Sequence, residues 1–516
     1  MSFLDFPSEI LTLILLPLDL RSLISCISIS RRIKAVIDGS ALLQYRLASQ
    51  VACVDYIPPE NTHTASADRT SALNSLQDGL AQLLPSSTHT IQMDVPPSRR
   101  SSVIILAGGI LALTEPTRTA LRSINLASLE THPPTWERLE LTEYIYELAS
   151  LPEEDLLILV TSTLNPDNFV VIPGSDLVYN LRFYQLSTLS PHDGAPKHTI
   201  NLPIIYGGSY YFDVDCCETK VSVAAAKRYS DDPHNHLWVY DWKTGRLHMD
   251  IFGDTAYSAY MLPAHILLLP QSTQGALELW AIQDSPNYQS GPELFLLLPT
   301  LERAPGFQYL FDKVEYTPKG HCPTNRGSQR FHSSYDESVL AFDLTCGDVE
   351  GGTMCLKWLV VISRKALLQL LSLSENPGAK LTWDQWIPFT SRWLLTDGVN
   401  YTWPTNICGQ RIVFVTHEGS ILLLDFNQHR CGKNLRIQAG DEEEPIDDED
   451  LRRDPCIKDE PEMFGESAHR RLEYVVKTFL APTDWRGVML DEDWIVGFKD
   501  TRNADGRFTF EVWRFG

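Results

Sequence analysis

The stretch LWVYDWKTG at residues 237–245 is a short apolar run that ends in a polar turn at Lys243-Thr244-Gly245. Two other stretches align with it without gaps, LRSINLAS at residues 121–128 and LRFYQLST at residues 181–188. The same apolar pattern returns three more times, in LELWAI (277–282), ILLLDF (421–426) and FEVWRF (510–515). A strand that recurs with its turn indicates a repeat architecture.

The spacing of these copies predicts what kind of repeat it is. The first four copies start 60, 56 and 40 residues apart, and the later gaps of 144 and 89 residues fit about three and two units. Irregular spacing of a recurring strand predicts a degenerate β-propeller of about six to eight blades. A pair of β-sandwiches is the alternative, and the hairpin over Trp238–Asp250 is compatible with both.

Residues 102–516 are predicted to be β throughout. Short apolar runs such as Val103–Leu106 and Ile412–Val415 are bounded by Gly, Pro, Asn and Asp, which is typical of strands separated by turns. The last run, at 508–515, is strongly strand-like. Because a ring of blades must hide its sheet edges, we expect this run to pair inside the β domain and to bury Phe510, Val512 or Trp513.

The charge of the chain narrows the choice of partner. The formal net charge is −23, with twelve acids and three bases between Asp441 and Glu462. Such a field repels nucleic acid and anionic lipid, so neither is expected as a partner. No stretch approaches the roughly 20 apolar residues that a membrane span needs. The segment 441–462 has no apolar periodicity and is predicted to be a solvated loop inserted in the β domain.

The residues that carry chemistry in enzymes do not form a recognisable pattern. The ten cysteines include no CxxC pair and no Cys/His cluster with zinc spacing, so we expect reduced thiols, no metal and a cytoplasmic or nuclear protein. GxxxxGK[ST], GxSxG and HExxH are absent. We therefore predict no catalytic residue and no cofactor. The cluster Trp383, Trp386, Trp393 and Trp403 is predicted to be blade-core aromatics, with a peptide pocket as the alternative.

Residues 1–50 have a helical pattern. Ile10, Leu11, Ile14 and their apolar neighbours are too many for one buried stripe, so the first helix is buried on most sides or faces a partner. Residues 51–101 are predicted to be a linker with one helix over Ala72–Leu84, broken by prolines on both sides.

The N-terminal segment resembles an F-box, the helical module of ubiquitin-ligase adaptors. FPSEIL at residues 6–11 resembles the opening of the family motif, ISRRI at 29–33 its second part, and DGS at 38–40 with LLQY at 42–45 the tail found in many fungal members. The resemblance implies that the Skp adaptor binds here. The residues it assigns to that contact are Phe6, Pro7, Ile10, Leu11, Ile14, Leu15, Leu18, Leu23 and Ile29.

The resemblance also implies a function. We expect a non-catalytic substrate-recognition adaptor that binds the Skp adaptor and, through it, a cullin scaffold, and presents an unknown protein substrate on the β domain. The alternatives are a ligand-binding or enzymatic propeller with a helical N-terminus, or a Skp-bound protein without ligase function. Perturbed carboxylates or histidines along a central channel would favour the enzyme.

Overall fold

The computed structural model shows a mostly β protein with helices at its N-terminus. It describes residues 3–56, 65–93, 103–163, 178–203, 210–227, 235–253, 258–262, 265–271, 275–283, 291–299, 307–313, 331–348, 356–374, 376–387, 390–395, 399–400, 406–416, 418–430, 458–459, 472, 474–480, 485–499 and 508–516. Trp403, His234 and most of the acidic segment 441–462 lie outside these residues.

Four helices form an N-terminal helical unit, which we define as residues 3–52. After a 3-10 turn at Phe3–Asp5 come α1 (Ser8–Leu15), α2 (Leu20–Ile29), α3 (Arg31–Gly39) and α4 (Ala41–Ala52). Asp19, Ser30 and Ser40 cap α2, α3 and α4, since each side-chain oxygen accepts a hydrogen bond from a backbone N–H in the first turn. The unit has its own small core, made of Leu11, Leu15, Leu23, Ile33, Val36, Ile37 and Leu43.

Two strands and a helix follow the helical unit in the chain, before the first strand of blade 1. They are β1 (Val54–Tyr56), α5 (Ser66–Gln82) and β2 (Ser87–Met93).

The described strands of the ring form seven antiparallel blades. Blade 1 has β3 (Ile104–Ala107), β4 (Ile110–Thr114), β5 (Ala120–Asn125) and β6 (Glu137–Glu140); blade 2 has β7 (Tyr144–Leu151), β8 (Leu156–Ser162), β9 (Tyr179–Gln185) and β10 (Thr199–Leu202). Blade 3 has β11 (Tyr210–Cys217), β12 (Lys220–Lys227), β13 (Asn235–Asp241) and β14 (Arg246–Gly253); blade 4 has β15 (Tyr260–Leu262), β16 (Ile266–Gln271), β17 (Ala276–Ala281) and β18 (Leu294–Leu297).

Blades 5 to 7 are less regular. After blade 4 the described elements are, in order, β19 (Phe307–Lys313), β20 (Phe331–Ser333), β21 (Val339–Asp348), β22 (Leu356–Ser363), α6 (Arg364–Leu373), β23 (Ala379–Leu381), α7 (Trp383–Trp386) and β24 (Ser391–Leu395). Blade 5 consists of β19, β21, β22 and β24. Blade 6 has β25 (Val399–Asn400), β26 (Ile407–Cys408), β27 (Arg411–Thr416), β28 (Ser420–Asp425) and β30 (Val475–Leu480); blade 7 has β31 (Trp485–Leu490), β32 (Trp494–Lys499) and β33 (Phe508–Arg514).

The propeller prediction is confirmed, and the repeat has a structural meaning. All six sequence copies fall on the third strand of their blades, namely β5, β9, β13, β17, β28 and β33. The predicted numbers of repeat units in the two long gaps, about three and two, were too high. The 144-residue gap covers two steps around the ring because blade 5 carries an insertion, and the 89-residue gap covers one step because a long connection joins β28 to β30.

Closure of the ring joins β2, which precedes blade 1 in the chain, to β33 of blade 7. β2 pairs antiparallel with β33, from Ser87 opposite Arg514 to Met93 opposite Phe508, and so supplies the fourth strand of blade 7. Phe510, Val512 and Trp513 are buried, as expected. The assignment of residues 51–101 to a linker with one helix is corrected here: the segment also contains two strands, and the β domain begins with β2, before residue 102. A ring needs a partner for its last edge, and this strand provides it.

Helix α5 lies between the helical unit and the ring. Leu73, Leu76 and Leu80 on its buried face share a core with Trp485 and Trp513 of blade 7. Tyr45 and Ala48 of α4 pack against the same core. The helical unit is therefore fixed to the propeller by a continuous apolar contact.

Blades 4 and 5 each carry one additional strand at their outer edge. The insertion in blade 5 places β23 parallel to β18 of blade 4. The two-residue strand β29 (Lys458–Asp459), the only described part of the acidic segment, pairs with β24 of blade 5. Trp383, Trp386 and Trp393 lie in the core of these two blades, where Trp383 meets the ring of Trp393 edge-on at 4.7 Å.

Candidate docking site

Helix α1 has two apolar faces. Leu11 and Leu15, four positions apart, point into the core of the helical unit and are at most 2% exposed. Ile10, Leu13 and Ile14 point outward and remain 41%, 64% and 41% exposed. Pro7 precedes the first turn in an extended conformation, so the chain enters the helix without a clash.

This exposed face continues beyond α1. Phe3 and Phe6 precede the helix with their rings in an edge-to-face contact at 6.3 Å, and both are more than a third exposed. On α2, Ile24 is 51% exposed and Ile29 is 80% exposed. We define the docking face by these residues: Phe3, Phe6, Pro7, Ile10, Leu13, Ile14, Ile24 and Ile29.

The structure divides the residues assigned to Skp binding into two groups. Five are exposed and belong to the docking face, namely Phe6, Pro7, Ile10, Ile14 and Ile29. Leu11, Leu15 and Leu23 are corrected from contact residues to core residues, because they are at most 2% exposed and pack on one another. Leu18 is half-buried against the same core.

Three exposed residues were missed by the sequence reasoning. Phe3 and Ile24 lie outside the quoted motif positions, so nothing in the motif identified them. Leu13 could have been found, because it follows Ile10 by three positions and shares its helix face. Ile33 of α3 is 7% exposed and packs in the core of the helical unit, so it is not part of the docking face.

Polar contacts hold the docking face in place. Arg32 of α3 donates from Nη2 to the carbonyl oxygen of Phe6 at 3.2 Å, which fixes the residues before α1. The Asp19 carboxylate accepts a hydrogen bond from the Ser22 N–H at 2.7 Å and starts α2. That backbone N–H, followed by the Ser22 hydroxyl, holds the pKa of Asp19 below its ordinary value.

The helical unit is also held by the strand pair β1–β20. Asp55 of β1 lies opposite His332 of β20. His332 Nε2 is 3.1 Å from an oxygen of Glu153 in blade 2, and Ser333 donates from N and Oγ to Glu492 of blade 7 at 2.6 and 2.7 Å. These contacts connect β20 to blades 2 and 7.

Several titratable groups at this junction are perturbed. Burial lowers the pKa of His332, but the hydrogen bond to Glu153 and the nearby carboxylates of Glu492 and Asp491 outweigh it and raise the pKa to about 9. Burial raises the pKa of Asp491 to about 6. The hydrogen bond that its carboxylate accepts from the Gly109 N–H lowers the pKa but does not outweigh burial. Burial, reinforced by Asp491, raises the pKa of Asp493 to about 8.

Two of these groups are engaged in holding the fold. His332 of β20 contacts Glu153 of blade 2, and Asp491 accepts a hydrogen bond from Gly109 of blade 1. Among the described residues, no three His, Cys, Asp or Glu side chains are placed to hold one metal ion. Within the same residues, no helix combines the length and the apolar content that crossing a bilayer requires.

Comparison with known sequences identifies one domain. The family model for the F-box domain matches residues 3–45, which covers the docking face and most of the helical unit. No curated protein matches the chain.

Comparison with solved structures returns proteins of low similarity. Hsv2 of Kluyvelomyces marxianus has a TM-score of 0.34 and 9% identity over 81% of this chain and 99% of its own. Sqt1 of Chaetomium thermophilum has a TM-score of 0.32 and 11% identity over 79% and 81%. An oligogalacturonate lyase in complex with manganese has a TM-score of 0.33 and 11% identity over 84% and 92%. The seven-bladed assignment therefore rests on the strand pairing itself.

Proposed function

We propose, from the premise that residues 3–45 are an F-box domain joined to a seven-bladed β-propeller, that this chain is the substrate-recognition adaptor of a Skp–cullin–F-box ubiquitin ligase. The docking face binds the Skp adaptor, and the Skp adaptor connects the chain to a cullin scaffold. The propeller binds a protein substrate. In this proposal the chain catalyses no bond-making step and works in the cytoplasm, the nucleus or both.

The observation that carries the proposal is the exposed apolar face of α1. Ile10, Leu13 and Ile14 are between 41% and 64% exposed, although the opposite face of the same short helix is fully buried. Contiguous apolar surface of this kind on a soluble domain marks an interaction site. The F-box match to residues 3–45 supports a Skp adaptor as the partner, because F-box domains typically bind Skp adaptors.

The attachment of the helical unit supports the adaptor mechanism. The amide of Asn427 in blade 6 donates to the Val51 carbonyl at 2.8 Å, and the Ser334 N–H donates to the Cys53 carbonyl at 2.7 Å. Together with the α5 core, these bonds hold the F-box in one orientation on the ring. A substrate on the propeller is then held at a fixed position relative to the ligase scaffold, which raises its effective concentration near the ubiquitin-charged enzyme.

A ligand-binding or enzymatic propeller is the second candidate, and one observation favours it. His332, Asp491 and Asp493 are buried, lie close to one another and have strongly shifted pKa values, which is common at active sites. Structural ion-pair networks shift pKa values as well. The bonds from Glu153 and Glu492 to β20 match that explanation, since they hold a strand that carries the helical unit.

Co-expression with a Skp adaptor, followed by gel filtration, tests the proposal. We expect a one-to-one complex that survives the column. Failure to form it would remove the F-box function and leave the second candidate. A reconstituted ligase that forms the complex but ubiquitinates no bound protein would instead favour a Skp-bound protein without ligase function.

A further inference from the structure

The outer edges of the blades differ in length. In the described part of blades 1 to 3, the outermost strands β6 and β10 have four residues each, whereas β14 of blade 3 has eight. No described strand pairs with the outer edge of β14. Soluble proteins usually keep such edges short or blunt, because an open edge offers unpaired backbone groups to another chain.

Two blades of this ring show that their edges accept a further strand. β23 adds in parallel to β18 of blade 4, and β29 adds antiparallel to β24 of blade 5. The ring geometry thus leaves room for a fifth strand outside the fourth, in either direction. Blade 3 is the neighbour of blade 4 and has the longer edge.

One half of β14 is blunted and the other half is not. A register shift between Val239 and Tyr240 places a bulge at His248, whose Nδ1 lies 3.1 Å from the Gln283 carbonyl. The bulge disrupts the edge at that end. From Met249 to Gly253 the strand contains neither Lys nor Pro, the residues that commonly protect an edge.

The side chains of this half give the edge a chemical preference. Phe252 is 51% exposed and its ring centroid lies 4.6 Å from that of His236 on β13. Asp250, two residues earlier, is also exposed and projects to the same face of the sheet. An added strand would place its own side chains about 5 Å from these two, so an apolar residue fits Phe252 and a basic residue fits Asp250.

We propose that the outer edge of blade 3, Met249–Gly253, binds an extended segment of the substrate as a fifth strand. The segment has apolar and basic residues two positions apart, facing Phe252 and Asp250, and the net charge of −23 favours its approach. Backbone hydrogen bonds supply affinity and the two side chains supply specificity. The proposal rests on the proposed function only in identifying the bound segment as part of a ligase substrate. Peptide binding at this edge is itself measured independently of Skp binding.

Fluorescence anisotropy with the purified full chain, in the absence of the Skp adaptor, tests the proposal. The probe is a fluorescein-labelled octapeptide with the repeat Val-Thr-Lys-Thr, in which valine and lysine are two positions apart and lie on one face of an extended strand. A second peptide has the same sequence with N-methyl groups on alternate residues, which removes edge hydrogen bonds without changing charge. We expect the first peptide to bind and the second to bind at least about tenfold more weakly.

Three variants locate the site. Phe252→Asp is expected to weaken the valine-lysine peptide about tenfold or more through loss of the apolar contact. Asp250→Lys is expected to reverse the charge preference of the edge, so that a peptide with glutamate in place of each lysine binds more tightly than the valine-lysine peptide. Tyr211→Asp is the matched control, since Tyr211 is 54% exposed on the first strand of the same blade and should leave binding unchanged.

Failure of this proposal differs from failure of the proposed function. Absence of peptide binding, equal binding of the N-methylated peptide, or indifference to Asp250→Lys would each overturn the edge site. Retention of the Skp adaptor by all three variants is expected in every case, because blade 3 is separate from the docking face. Loss of Skp binding by the unsubstituted chain would overturn the proposed function instead.

Discussion

The Nε2 atom of His332 lies 3.1 Å from a carboxylate oxygen of Glu153, although the two residues come from blades that are not neighbours in the ring. His332 belongs to β20, inserted between the first two strands of blade 5, and Glu153 to the turn between β7 and β8 of blade 2. Since β20 also pairs with β1, this ion pair connects the strand that follows the helical unit to blade 2 of the propeller.

The His332 contact predicts a pH dependence of stability. The pKa of His332 is about 9 in the folded chain and about 6.5 when exposed. The folded chain therefore favours the charged imidazole. Its contribution to the free energy of unfolding is complete below pH 6.5 and is lost as the pH rises through 9. A shift of this size corresponds to about 3 kcal/mol. We expect the free energy of unfolding to fall between these two pH values.

Replacement of the imidazole checks this prediction. His332→Gln should lack that part of the pH dependence, measured by urea unfolding at pH 6.5 and pH 9.5. His132→Gln, at an exposed position in blade 1, is the control and should behave like the unsubstituted chain. Identical pH profiles for His332→Gln and the unsubstituted chain would contradict the assignment.

Charge on the docking face should abolish Skp binding. The double substitution Ile10→Glu and Ile14→Glu places two carboxylates in an interface that excludes water, at a cost of several kcal/mol, or about a thousandfold or more in Kd. Both side chains are 41% exposed in the free chain, so the fold should persist by circular dichroism. Leu373→Glu, on the 77% exposed end of α6, is the control and should still co-purify with the Skp adaptor.

The position of the domain boundary can be tested by truncation. A fragment that begins at residue 98 loses β2, which opens the edge of β33, and loses α5, which uncovers Trp485 and Trp513. We expect it to aggregate. A fragment that begins at Ala65 keeps both elements and should be soluble, with a strand-dominated circular-dichroism spectrum. Equal solubility of the two fragments would mean that the ring closes without β2.

The packing of blade 7 predicts an intolerant glycine. A Cβ on Gly497 of β32 would lie 2.1 Å from the ring of Trp485, so Gly497→Ala must displace a buried indole. We expect a loss of about 1–3 kcal/mol in the free energy of unfolding by urea titration. Gly39→Ala is the matched control, because nothing lies within 4 Å of its added Cβ, and it should change stability by less than about 0.5 kcal/mol.

The strand content, the repeat and the F-box were all predictable from the sequence. Each of these is carried by a window of a few residues: an apolar run with its turn at 237–245, or FPSEIL at 6–11. Burial of Phe510, Val512 and Trp513 was also predictable, because a terminal apolar run in a ring needs a partner. A local pattern was enough in these cases because the strand or helix that forms depends mainly on neighbouring residues.

The tertiary structure alone decided which strand closes the ring and which F-box leucines face outward. Ser87 and Arg514 are 427 positions apart and still pair, and no local pattern in residues 87–93 indicates that partner. Leu11 and Ile10 are both aliphatic neighbours in one helix, yet one is fully buried and the other is 41% exposed. The physical reason is the same in both cases: burial and strand pairing are set by contacts between distant segments, and these contacts exist only after the chain has folded.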